Sequence, residues 1–92
     1  MIYNLNGKLT CVDPTFIVIE CGGVGFKCFA STTTITSIST VGTNVNVLTY
    51  MSVKEDSIDL YGFATQEELN AFKLLISVSG IGPKAAMAIL SV

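Results

Sequence analysis

The sequence predicts a β barrel plus α: a five-stranded OB-type barrel followed by one helix-hairpin-helix unit. Three observations predict it. Residues 2–63 are a series of β-prone runs in alternating apolar and polar order, broken at short turn signals. One polar interruption, residues 31–40, falls after the third run. After Gly62-Phe63-Ala64 the apolar spacing changes to that of a helix, and Gly80-Ile81-Gly82-Pro83 divides the helical part in two. The strand pattern alone also fits other small five-stranded barrels.

In chain order, Leu5, Gly7, Leu9 and Cys11 alternate over Ile2 to Cys11, as one face of a half-buried strand does. Gly7 inside that strand marks either a bulge or a close backbone contact. Asp13-Pro14 turns the chain into Phe16-Ile17-Val18-Ile19, and Gly22-Gly23 turns it again into a strand from Val24 to Ala30, with Phe26 and Cys28 on one face. These three strands form an antiparallel meander. Residues 31–40 hold eight Ser or Thr, with Ile35 and Ile38 three apart, a pattern that suits a short helical turn or a polar crossover loop equally. Val45, Val47, Thr49, Met51 and Val53 resume the alternation. Lys54-Glu55-Asp56 then interrupts it as a hairpin tip, and Ile58, Leu60 and Phe63 follow on the return strand.

Thr65 with Glu68 three residues later is a capping box, which opens a helix carried by Leu69, Phe72, Leu75 and Ile76 and ending near Ser77. Pro83 suits the first position of a second helix, whose apolar stripe is Ala86, Ile89 and Leu90. The expected boundaries are a barrel domain over 1–63 and, over 64–92, the first helix-hairpin-helix motif of a second, truncated domain. A single such motif buries little apolar surface, so the missing part is expected to supply its packing partner.

Composition narrows the function. Five lysines and no arginine oppose seven acidic residues in 92, a net charge of −2. A protein that coats nucleic acid by charge alone uses one cation per phosphate contact, so any nucleic-acid binding here is local and multivalent. Cys11, Cys21 and Cys28 form no metal-ligand spacing and there is no His; they read as reduced core thiols of a cytosolic protein. The start lacks the regions of a signal peptide, and the uncharged stretch 28–53 is too rich in Ser, Thr and Asn to span a membrane. No metal site and no cofactor are expected.

Two stretches carry candidate chemistry. In Ser79-Gly80-Ile81-Gly82-Pro83-Lys84, glycines let the backbone approach another surface, the start of the second helix offers free amides, and Lys84 adds a charge. That is a phosphate clamp, or else only a helix–helix connection. A strand-to-helix nucleotide loop is disfavoured, because no Gly-x-x-x-x-Gly-Lys-Ser/Thr pattern occurs. Glu55-Asp56 on a hairpin tip is ordinarily solvated surface. As an enzyme the pair lacks a His or Cys partner, and Asp59 belongs to the next strand, so no catalytic residues are assigned. Beside a phosphate-binding surface these carboxylates would repel a nucleic-acid backbone.

Four segments in order are similar to the RuvA family of Holliday-junction-binding proteins: Met1-Ile2-Tyr3-Asn4-Leu5-Asn6-Gly7-Lys8-Leu9, Ile19-Glu20-Cys21-Gly22-Gly23-Val24-Gly25-Phe26, Glu55-Asp56-Ser57-Ile58-Asp59-Leu60-Tyr61-Gly62-Phe63, and Val78-Ser79-Gly80-Ile81-Gly82-Pro83-Lys84-Ala85-Ala86. The resemblance implies a cytoplasmic bacterial homotetramer, with no membrane association, that holds four-way junction DNA open as the non-motor subunit of a branch-migration complex in recombination and repair. Its partner is the ATP-hydrolysing motor RuvB. It implies phosphate binding by Ser79, Gly80, Ile81, Gly82 and Lys84, an acidic pin at the crossover made of Glu55 and Asp56, and a central DNA contact at Lys54. The family continues into a second helix-hairpin-helix and a C-terminal domain that regulates RuvB, neither of which this sequence contains. The alternative is a protein-interaction or oligomerisation module without direct DNA contact.

Overall fold

The computed structural model describes residues 1–38 and 40–92. Five strands, β1 (Asn4–Val12), β2 (Phe16–Cys21), β3 (Val24–Ala30), β4 (Asn44–Val53) and β5 (Ile58–Phe63), close into a barrel in the order β1-β2-β3-β5-β4. Neighbouring strands are antiparallel except β3 and β5, which run parallel from Cys28↔Leu60 to Ala30↔Gly62. That parallel closure is forced by the connection after β3, which carries the chain across one end of the barrel before β4. The order and the crossover are those of an OB-type barrel.

The crossover includes a short helix, α1 (Thr32–Ser37), so the described part of 31–40 takes the helical alternative; Ser39 lies outside the described residues. The serine and threonine content that leaves the sequence undecided explains the outcome: Ser31 caps the helix, its hydroxyl accepting from the Thr34 amide at 3.2 Å.

The barrel interior holds Leu5, Leu9, Ile17, Ile19, Cys28, Ala30 and Val47. One expected member is missing from it. Around Thr10, two steps along β1 oppose one along β2, from Leu9↔Ile19 to Cys11↔Val18. A bulge of this kind inverts the parity of the strand beyond it. Cys11 therefore faces solvent and Val12 packs inward, correcting the expectation that all three cysteines are core thiols; Cys21 is half-buried and Cys28 fully buried. Gly7 is the close-contact case: a Cβ there would lie 2.2 Å from the Glu20 carbonyl oxygen and 2.9 Å from Cys21 Sγ.

Two longer helices, α2 (Gln66–Ile76) and α3 (Pro83–Leu90), lie on the outer wall of the barrel. Tyr61 and Phe63, with Phe29, Leu48 and Tyr50 beside them, meet Leu69, Phe72, Ala86 and Met87 in a second apolar layer. Phe72 is its centre, 5.2 Å from the Tyr50 ring, 5.4 Å from Tyr61 and 5.0 Å from Phe63. On α3 the buried face is Ala86, Met87 and Leu90, whereas Ile89, expected in the stripe, is 48% exposed. At about 100° per residue, Met87 falls beside Ala86 and Leu90 while Ile89 falls to one side.

Candidate nucleic-acid interface

Between α2 and α3 the chain reverses through Ser77 to Gly82. The Val78 and Ile81 ends of this loop are tied by an amide-to-carbonyl bond, Ile81 N–H to Val78 O at 3.1 Å. Gly80 stands at φ +89°, in the left-handed region where a Cβ is penalised, so the tight reversal needs glycine there. Ile81 packs half-buried against the helical layer and anchors the loop. Its amide is already used by Val78, so it is not among the free donors.

Gly82 is the N-cap of α3 and has no side chain to accept from the helix's first amides; Pro83 fills the first turn. The amides of Lys84 and Ala85 precede the first α-helical bond, Ala86 N–H to Gly82 O at 3.0 Å, and point out of the helix end. A Cβ built on Gly80 or Gly82 meets nothing within 4 Å, and Ser79, Gly80, Gly82 and Lys84 are exposed. The loop thus presents an open backbone face with the positive end of a helix dipole behind it, an arrangement suited to an anion.

Lys84 does not point freely outward. Its Nζ stands 5.7 Å from the centroid of the Phe29 ring on β3, and it borders a cavity of about 450 Å³ with Pro14, Tyr61 and Met87. Sequence reasoning does not single out Phe29, although a signal exists. If Phe26 and Cys28 face inward, the alternation places Lys27 and Phe29 outside, next to whatever covers that wall.

The acidic tip is a separate feature. Lys54, Glu55 and Asp56 are all exposed in the β4–β5 turn, which is closed by Lys54 N–H to Ser57 O at 2.8 Å. Val53 and Ile58, paired across the hairpin, are exposed as well. Lys84 meets the barrel at the level of Tyr61, three residues from Ile58, so at strand rise the tip lies roughly 10 Å or more further along β5. The structure therefore brings Ser79, Gly80, Gly82 and Lys84 together on one surface and sets Lys54, Glu55 and Asp56 apart from them. Among the described residues no three His, Cys, Asp or Glu side chains cluster as metal ligands, and no helix is long and apolar enough to cross a membrane.

Similarity to known proteins agrees with this architecture. The family described as RuvA N terminal domain matches residues 1–62. The chain belongs to the RuvA family. It is 52% identical over 91 residues to the Holliday junction branch migration complex subunit RuvA of Acetivibrio thermocellus, covering 99% of this chain and 45% of that protein. The protein of the same name from Dehalococcoides mccartyi is 48% identical over 92 residues, covering all of this chain and 47% of its own length. That from Symbiobacterium thermophilum is 42% identical over 91 residues, covering 44% of its length. The chain thus spans about half the length of these RuvA relatives.

Proposed function

We propose that this chain is the junction-binding, non-motor part of a branch-migration complex subunit, acting on four-way DNA in recombination and repair without catalysis of its own. The observation that carries the reading is the open backbone face at Gly80 and Gly82, in front of the α3 N-terminus and beside Lys84. Backbone amides contact phosphates without reading bases, so recognition is of DNA shape. Residues 64–92 act as the first helix-hairpin-helix of a second domain, with Ser79, Gly80, Gly82 and Lys84 facing a duplex arm and Ile81 holding the loop in place. Glu55 and Asp56 repel backbone at the crossover, and Lys54 beside them contacts the central strands. Assembly as a homotetramer multiplies single weak clamps into useful avidity. The motor RuvB is engaged through the remainder of the full-length subunit, in the cytoplasm.

The test is a titration of a synthetic four-way junction and of plain duplex at low salt, where phosphate contacts are strongest. Preference for the junction is expected. Gly82→Asp, which puts a carboxylate at the anion site while a side chain there meets no neighbour, is expected to abolish binding with the fold intact. Glu55→Ala with Asp56→Ala is expected to leave junction binding unchanged or stronger. Undiminished binding by Gly82→Asp would remove the hairpin from the interface. A folded chain that assembles but binds no DNA would instead be an oligomerisation module.

A further inference from the structure

Two of the five lysines converge on one aromatic ring. Phe16 on β2 and Phe29 on β3 are directly paired on the outer wall of the barrel, and Lys27 lies two residues before Phe29 on the same face, opposite Val18. Lys27 Nζ is 4.5 Å from the Phe16 centroid and 5.1 Å from that of Phe29. Lys84 comes to the same Phe29 ring from α3, at 5.7 Å. Ring and ammonium attract, and the rings fix the stems of the lysines, but this attraction leaves their charge and N–H donors in place. Among the described residues neither ammonium is paired with a carboxylate. Glu20, on the same outer face, sits two pairs further along, opposite Gly25 and toward the Gly22-Gly23 turn.

We propose that Lys27 is a second phosphate-binding cation, which continues the DNA surface of the glycine hairpin from α3 across Phe29 onto the barrel wall. The ligand class is the phosphodiester backbone of nucleic acid. Two like charges gathered on one ring, in a chain of net charge −2, repel each other until a polyanion lies across them. The open amides of α3 and the Lys84 ammonium give one end of that track, and Lys27 the other. The inference rests on the hairpin being a DNA clamp.

The experiment measures four-way-junction affinity of the whole chain over a salt series for the unaltered protein and for Lys27→Met, Lys27→Arg, Lys84→Met and Lys8→Met. Methionine keeps the apolar stem on Phe16 and Phe29 and removes only the charge. Lys27→Met is expected to weaken binding about threefold to tenfold at low salt. It should also lower the slope of log K against log salt by about 0.9, the value for one phosphate left unneutralised. Lys27→Arg should restore both, Lys8→Met should change neither, and thermal midpoints should stay within a few degrees. If Lys84→Met weakens binding while Lys27→Met leaves affinity and slope unchanged, the proposal is overturned and the clamp stands. If neither lysine matters, or the unaltered chain binds no DNA, the clamp falls too. A loss in Lys27→Met that Lys27→Arg does not repair would make the residue structural and also overturn the proposal.

Discussion

Cys28 faces the barrel axis with no exposed surface, on the strand whose parallel pairing with β5 closes the barrel. Burial, with the Cys21 thiol a smaller contributor, pushes its thiol up from 9.0 to about 12. The neutral thiol is therefore favoured by the fold. Its contribution to stability is complete below pH 9 and is lost as pH rises from there toward 12, because the unfolded chain releases the proton first. Unfolding free energy measured by denaturant across that range should fall more steeply with pH in the unaltered chain than in Cys28→Ala, by up to about 1.4 kcal/mol per pH unit. Equal slopes would show that Cys28 ionises as readily folded as unfolded. Alkylation of the native protein should reach exposed Cys11 well before Cys28. Sequence alternation could not separate these two thiols, because the bulge around Thr10 inverts β1 after Leu9 and leaves no mark in the hydropathy pattern.

At the scale of elements, α1 and α2 are joined by one carboxylate. The Glu68 side chain accepts from the Ser31 and Thr34 hydroxyls, both fully buried, and Thr34 Oγ1 in turn accepts from the Ala64 amide at 3.1 Å. Thr65 does cap α2, accepting from the Glu68 amide at 3.2 Å, so the half of the capping box that orders the backbone forms as the sequence predicts. The glutamate carboxylate instead ties the crossover helix to the start of the helical layer. Glu68→Ala leaves two buried hydroxyls short of a partner and should cost about 1–3 kcal/mol for each one that water cannot reach. Denaturant midpoints would measure it, and a change under about 0.5 kcal/mol would show the network to be dispensable. Local pattern reveals the existence of every strand and of both long helices, because periodicity and turn residues act over a few positions. It could not assign Glu68 or the inward turn of Met87, since both depend on which segment, distant in sequence, packs alongside. The glycine hairpin is legible for the opposite reason: its loop geometry is set locally, by Gly80, Gly82 and Pro83, whereas Phe29 and Lys27 enter the surface only through barrel topology.

Across the whole molecule, two apolar layers meet at one wall. The barrel interior is formed by Leu5, Leu9, Ile17, Ile19, Cys28, Ala30 and Val47, and the second layer by Tyr61 and Phe63 with the helices. The strands β3, β4 and β5 serve both, one face each, so the barrel can close without the helices while the helices depend on the barrel wall. Phe72 sits at the centre of that dependence, with no exposed surface and three aromatic neighbours. Truncating it to alanine should cost about 3–5 kcal/mol. The loss should not spread evenly, because local opening follows local packing. Hydrogen exchange of Phe72→Ala should show residues 66–90 losing protection while β1 and β2, which contribute to the interior layer, keep theirs. Junction binding should fall with the helical protection, since the Gly80–Lys84 surface is oriented chiefly by this layer, with Lys84 on Phe29 and the hydrogen bonds from Thr32 and Thr33 to Ser91 and Leu90 holding the rest of α3. Uniform loss of protection through all five strands would instead mean that the two layers fold as one unit, and that the barrel wall needs the helices as much as they need it.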